Sequence, residues 1–193
     1  MSKERLLAFS DGVIAILITI MVLELRVPHG SDWAALTPLL PIFLTYILSF
    51  VLLGIYWNNH HHMFQITERI NGAILWANLH LLFWLSLIPF VTGWMGENHF
   101  EPVPTAVYGV VLVGAAIAYT ILQNAILKEE GPRSKLAEAV KADVKGKISI
   151  VLYVLAVPLA FVNQLISDAI FVTVALIWLI PDPRIERRIK HSE

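Results

Sequence analysis

The chain has 193 residues, of which 57% are hydrophobic and 15% charged, and its formal net charge is -1. Soluble domains usually carry about 25% charged residues, so a water-soluble chain of this composition would expose a large apolar area. The charge gives no general attraction to nucleic acid, and the absence of cysteine excludes disulfides and thiolate chemistry. These features favour an all-α membrane protein, with the lipid bilayer as a partner.

Apolar stretches predict six transmembrane helices, since a helix needs roughly 20 apolar residues to cross the hydrocarbon. The first stretch has no signal-peptide cleavage site, so we expect it to be retained. Pro89 predicts a helix start or kink within the third. The last stretch is too long for one helix and is interpreted as a hairpin with a short outer turn. The predicted spans are residues 6–25, 36–57, 70–94, 103–127, 148–162 and 165–180, with a cytoplasmic segment at 128–147, in a single transmembrane domain, 1–193.

The basic residues predict the orientation of these spans. With six spans, every one of the 14 Lys and Arg residues except Arg26 falls on the side that holds the N-terminus. Five spans would place the C-terminal basic cluster, which begins at Arg184, on the opposite side. Basic residues near span ends concentrate in the cytoplasm. We therefore expect a multi-pass protein of the cell membrane with both termini in the cytoplasm.

A polar cluster, Arg5, Ser10 and Asp11, lies at the start of the first span. A carboxylate in the first turns of a transmembrane helix is costly unless it has a partner. The carboxylate of Asp11 is therefore expected to have a partner. The alternative is that Ser10 or Asp11 simply caps the helix after a frayed start.

An apolar stripe follows on the same helix. Successive helical residues turn by about 100°. Thr19 then lies at the edge of the stripe, and Asp11 lies about 220° from Ile16. A stripe in contact with lipid or another helix would look the same, and spacing alone favours those interpretations over a pore. The face consists of Phe9, Gly12, Ile16, Ile20 and Leu23.

The string Arg5-x-x-x-Phe9-Ser10-Asp11, continued by Ala15-Ile16-x-x-Thr19-Ile20-x-x-Leu23, resembles the first helix of the transmembrane protein 175 family. These proteins are potassium-permeable channels of bacteria, archaea and lysosomes. The resemblance implies a homotetramer in which the first helix of each subunit lines a central pore for permeant K+, without other cofactors. Like the family, this chain has no selectivity-filter loop of the TVGYG type.

The resemblance also assigns roles to individual residues. It implies that Ile16, Ile20 and Leu23 form stacked apolar rings that constrict the pore and gate it by dewetting, and that Ile16 is the narrowest point. Thr19 would offer hydroxyl oxygens to a passing K+. The structural polar network would join Arg5, Phe9, Ser10 and Asp11 to groups on other helices, with Trp57, Asn58, His60, His61, His62, Asn78 and His80 as candidates.

Other functions remain open at this level. The run His60-His61-His62 could suggest a metal, but consecutive helical residues point about 100° apart and cannot converge on one ion. Interfacial or packing roles are favoured, no metal ligand is assigned, and an enzyme is not expected. A secondary transporter or a non-transporting membrane scaffold is the alternative to a channel. Glu24 either concentrates cations at the outer mouth or is a solvated loop acid.

Overall fold

The computed structural model of the chain describes residues 2–132, 134, 136–137 and 143–179. The regular elements in these ranges are all helical, which confirms the predicted all-α class. Two 3₁₀ helices, Val22–Glu24 and Trp33–Leu39, follow the first α-helix. The α-helices are α1 (Lys3–Met21), α2 (Leu40–Gln65), α3 (Gly72–Ser86), α4 (Ile88–Glu97), α5 (Pro102–Glu130), α6 (Val144–Leu159) and α7 (Gln164–Leu179).

Four helical runs are long and apolar enough to cross a membrane. Each of the first four predicted spans overlaps one of these runs, and α2 and α5 continue beyond the predicted ends. α7 is also apolar but shorter, with 16 residues. The four runs are Lys3–Glu24, Trp33–Gln65, Gly72–Glu97 and Pro102–Glu130.

The third run is interrupted where the sequence places a proline. α3 ends at Ser86, and α4 begins at Ile88 with Pro89 in its first turn, where a missing N–H leaves no bond unmade. The backbone N–H of Val91 still donates to the carbonyl of Leu87, at 3.1 Å. The two helices therefore remain connected by hydrogen bonds across the break.

The last apolar stretch forms two helices, α6 and α7, which are joined by residues 160–163. α6 begins four residues before the predicted start because Asp143 caps it, accepting a hydrogen bond from the Gly146 N–H at 2.8 Å. Helix α5 also extends to Glu130. The connection at 128–147 is therefore shorter than predicted, and the basic cluster that begins at Arg184 lies outside the described residues.

Helix α5 lies at the centre of the bundle, between α3 on one side and α6 and α7 on the other. Small residues let these helices approach closely. Gly114 faces the indole ring of Trp84 on α3, and a Cβ atom at Gly109 would meet the ring of Phe171 on α7 at 3.1 Å. Helix α1 lies at the side of this bundle and packs against α2, α3 and α4.

Candidate pore helix and its polar anchors

Helix α1 has two unlike faces within the subunit. One is buried against the bundle and carries Leu6, Ser10, Ile14, Leu17 and Met21. The opposite face leaves Ile16 57% and Ile20 42% exposed, and Leu23, in the 3₁₀ helix that follows α1, is 75% exposed. The predicted stripe therefore lies together on one side of the helix, away from the other helices of its own subunit.

Thr19 lies on the same exposed face. Its hydroxyl has two acceptors on its own helix, the carbonyl oxygens of Ile16 at 2.9 Å and Ala15 at 3.1 Å. Because the hydroxyl hydrogen is used within the helix, the oxygen lone pairs are left for an external cation. The Thr19 hydroxyl can therefore offer its oxygen to a cation, but it has no hydrogen left to donate.

A buried chain of hydrogen bonds joins α1 to α3 and α2. The side-chain amide of Asn78 donates to Ser10 Oγ at 3.0 Å, and its carbonyl oxygen lies 2.8 Å from His60 Nε2. A carbonyl oxygen can only accept, so His60 Nε2 donates. The other ring nitrogen of His60 is buried and has no hydrogen-bond partner among the described residues. Ser10, Asn78 and His60 thus form one connected path through three helices.

Asp11 is held separately. The indole N–H of Trp57 donates to Asp11 Oδ1 at 2.9 Å, which links α1 to α2 a second time. The Trp57 ring in turn stacks on His61, with ring centroids 6.0 Å apart. Asp11 therefore points to a neighbouring helix and not along the exposed apolar stripe.

Three residues that were expected in the polar network lie apart from it. Arg5 is exposed and has no hydrogen bond or ion pair within the described ranges, and Phe9 lies 53% exposed on the face of the apolar stripe. His80 accepts a hydrogen bond from Trp84 Nε1 at 3.0 Å, within α3. His80 follows Asn78 by two positions, or about 200° around the helix, so the two cannot face the same partner.

The start of α1 is anchored by a contact that sequence reasoning missed. Lys3 Nζ donates to the carbonyl oxygen of Thr67, at 2.9 Å, in the loop between α2 and α3. The same loop is held by Glu130 of α5, whose Oε1 accepts from the backbone N–H groups of Glu68 at 2.7 Å and Arg69 at 3.0 Å. Side chain to backbone bonds of this kind leave no pairing signal in the sequence.

The far end of α1 is anchored to α4. Glu24 is half-buried and packs against Gly93, where a Cβ atom would come within 3.2 Å of Glu24 Oε2. Arg26 forms an exposed ion pair with Glu97, at 2.8 Å. Glu24 is therefore not a freely solvated acid within the subunit.

The three side chains of the run His60-His61-His62 point in different directions. His60 is buried in the polar chain, whereas His61 Nε2 and His62 Nδ1 lie 3.0 Å and 3.4 Å from the side-chain amide of Gln65. Among the described residues, no group of three or more His, Cys, Asp or Glu side chains could hold a metal ion. The three histidines therefore serve in packing and hydrogen bonding, and their rings do not converge on one site.

Comparison with known proteins bears on these same elements. The sequence model of a family described as endosomal/lysosomal potassium channel TMEM175 matches residues 5–89, which include the candidate site residues from Arg5 to His80. A potassium channel of Chryseobacterium sp. (strain P1-3) is 58% identical over 192 residues, covering 100% of both chains. A potassium channel of Streptomyces collinus is 33% identical and covers 82% of both chains.

A solved structure is similar in fold. The crystal structure of a lysosomal potassium-selective channel TMEM175 homolog from Chamaesiphon minutus superimposes with a TM-score of 0.81 and 27% identity. The match covers 92% of this chain and 96% of that one. The likeness therefore extends over the helical bundle and is not confined to the first helix.

Proposed function

Because this chain belongs to the TMEM175 family, as its first helix predicted, we propose that it is a potassium-permeable cation channel whose pore is lined by α1. It is a multi-pass, all-α membrane protein, and its relatives from Chryseobacterium and Streptomyces are named potassium channels. Transport, and not catalysis, is therefore the activity to test.

The unpartnered face of α1 carries this proposal. Ile16, Ile20 and Leu23 are exposed, whereas Ile14 and Met21 on the opposite face are each 1% exposed. A symmetric homotetramer would bring four such faces around one axis and stack the three residues as rings. Lipid could cover the same face, and the membership of the TMEM175 family favours the pore.

The proposed gate is a hydrophobic constriction. Narrow apolar rings expel water and ions, and a small widening restores conduction. Ile16, the ring nearest the start of the chain, is proposed as the narrowest point. The Ser10–Asn78 and Asp11–Trp57 hydrogen bonds fix the orientation of α1 about its own axis, and so keep the ring residues directed away from the bundle.

Thr19 is the proposed polar contact for the permeant K+. Its hydroxyl hydrogen is occupied on α1, so its oxygen is available to a cation between the rings of Ile16 and Ile20. Selectivity would reflect the easier dehydration of the larger ion, and we expect it to be weaker than that of a carbonyl filter.

The proposed location is the cell membrane, with the N- and C-termini in the cytoplasm. The described basic residues at the N-terminal end of the bundle include Lys3, Arg69 and Lys145, whereas Arg26 lies at the opposite end. This distribution follows the positive-inside rule.

A flux assay tests the proposal. Purified protein in liposomes should pass K+ down its gradient, and Na+ more slowly. Ile16→Ala and Ile16→Asn should both increase the flux, because each weakens the apolar constriction. Ile117→Ala is the matched control, since Ile117 is 43% exposed on α5, away from the proposed pore.

Two outcomes would count against the proposal. Folded protein that passes no ions under any gradient would favour a scaffold, and saturable counterflow would favour a secondary transporter. If flux is present but unchanged in both Ile16 variants, the constriction lies elsewhere.

A further inference from the structure

The buried polar chain through α1, α3 and α2 has a fixed order of donors and acceptors. The Ser10 hydroxyl donates to the carbonyl oxygen of Leu6, at 2.9 Å, so its oxygen accepts from the side-chain amide nitrogen of Asn78. The carbonyl oxygen of Asn78 then faces His60, and His60 Nε2 must carry a proton. The neutral His60 ring is therefore the tautomer that is protonated on Nε2.

The other nitrogen of this ring, Nδ1, has no acceptor for a proton. His60 is 0% exposed, and its Nδ1 is a buried atom without a hydrogen-bond partner among the described residues. The ring of Phe64 lies beside the imidazole, with ring centroids 4.6 Å apart. A proton on Nδ1 would bury both an N–H without an acceptor and a positive charge, and each is costly. The packed junction therefore accepts only the neutral ring.

The charges near His60 do not supply the missing acceptor. Within the described ranges, the titratable groups whose charges act on the ring are Asp11 on α1 and His61 on α2. Asp11 would attract a protonated ring, but it accepts from Trp57 and makes no hydrogen bond with Nδ1. A protonated His61 would repel the ring. The contact from α3 is the side-chain amide of Asn78, which is uncharged.

We propose that His60 is an acid-sensitive switch, whose neutral ring holds α1 against the bundle and whose protonation releases α1. At neutral pH, His60 donates to Asn78 and Asn78 donates to Ser10. An imidazole in contact with water takes up a proton below about pH 6.5, so acid favours any state in which the ring has left the junction. Departure of the ring leaves Asn78 without its donor and loosens the contact with α1.

The size of the effect follows from the pKa of an imidazole in water. With a pKa of about 6.5, roughly ten of eleven such rings are charged at pH 5.5, against about one of eleven at pH 7.5. The packed ring stays neutral at both values. The ratio of released to packed α1 should therefore be about tenfold higher at pH 5.5 than at pH 7.5.

Cysteine labelling in lipid nanodiscs measures this release, because the natural chain has no cysteine. Ile14→Cys probes the buried face of α1, where Ile14 is 1% exposed. The reagent is 2,2′-dipyridyl disulfide, which still reacts with thiols in acid, and each rate is divided by that of the SDS-unfolded protein at the same pH. We expect this ratio to rise about tenfold from pH 7.5 to pH 5.5. Val174→Cys is the matched control, because Val174 is 0% exposed on α7, and it should stay protected.

Two variants distinguish His60 from other groups that titrate in this range. His60→Gln presents an N–H to Asn78 but cannot take up a proton, whereas Asn78→Asp gives the protonated ring an anionic acceptor. Each should abolish the acid-induced rise at Ile14→Cys, by a different route. His80→Gln is the matched histidine control, since His80 is exposed on α3, and it should leave the rise intact.

Four results would overturn the proposal. They are an unchanged rate at Ile14→Cys, an equal rise at Val174→Cys, a rise that persists in both His60→Gln and Asn78→Asp, and loss of the rise in His80→Gln. None of these measurements uses ion flux. A chain that conducts K+ but shows no acid-induced release would therefore overturn this proposal and leave the proposed function in place.

Discussion

At the junction of α1, α2 and α3, one amide side chain serves two buried partners. Asn78→Leu would leave the His60 N–H without an acceptor, at a cost of about 1–3 kcal/mol. We expect a clearly lower unfolding temperature by intrinsic fluorescence in detergent. His80→Leu removes a neighbouring hydrogen bond at an exposed position, and should change the temperature little. Equal shifts in the two variants would contradict the assignment.

Among the described residues, Asp11 has one hydrogen-bond donor, the indole N–H of Trp57. Trp57→Phe removes the N–H that donates to Asp11 and leaves the carboxylate without its partner within the subunit. We expect a smaller fraction of assembled oligomer by size-exclusion chromatography, with the K+ to Na+ flux ratio of the remaining oligomer unchanged. Trp76→Phe, at a site that is 75% exposed, is the control. A changed flux ratio with normal assembly would show that Asp11 acts in permeation.

Helical periodicity alone predicted on which face of a helix a given side chain lies. The 100° turn placed Ile16, Ile20 and Leu23 on one face and Asp11 off it, and the structure has them so. The same rule separates Asn78 from His80, although the sequence interpretation placed both in one network. Lys3 could not be found in this way, because its partner is a backbone carbonyl of Thr67, and any residue type supplies one.

At the scale of the element, a glycine controls how α5 meets α3. A Cβ atom at Gly114 would overlap the Trp84 indole, so Gly114→Ala should separate the helices and lower the unfolding temperature strongly. Gly54→Ala is the matched control, since nothing lies within 4 Å of a Cβ atom there, and alanine favours a helix by about 0.5–1 kcal/mol. A Gly114→Ala protein as stable as Gly54→Ala would contradict this packing.

Helix existence was easier to predict than helix ends. Long apolar runs indicated the spans, and Pro89 marked the break in the third one. The predicted start of α6 was too late, because Asp143 and Gly146 were assigned to the polar connection before the helix. In the structure Asp143 caps α6 and Gly146 donates the capping hydrogen bond. Hydropathy measures transfer to lipid, and it does not report the hydrogen bond that begins a helix.

For the whole molecule, the absence of cysteine allows a direct test of assembly. Ile16→Cys should form disulfide-linked dimers on oxidation, because the proposed tetramer brings the Ile16 positions of different subunits together at its axis. Ile117→Cys on α5 should not. Denaturing gels without reductant measure the difference. Cross-linking at position 117 and not at 16 would place α1 at the lipid and α5 at the axis.

A homotetramer with a pore lined by α1 was expected from the sequence only through resemblance, and it stays a prediction. Composition and the distribution of basic residues indicated a multi-pass membrane protein, but an apolar stripe is equally suited to lipid and to a pore. The string that runs from Arg5 to Leu23 was needed to choose between them. The small cavity that Tyr56, Tyr119 and Tyr153 help to line was not predictable, because these residues come from three helices that are distant in sequence.

The anchors at the two ends of α1 have a mechanical consequence. Lys3 fixes one end to the loop at Thr67, and Glu24 and Arg26 fix the other to α4. Ser10 and Asp11 attach the first half of the helix to α3 and α2 as well. Ile16 lies between these attachments and the one at Glu24, in a stretch that apolar side chains hold against the bundle. In the proposed pore, the aperture would therefore change by slight bowing of α1 beyond Asp11, and not by sliding of the whole helix.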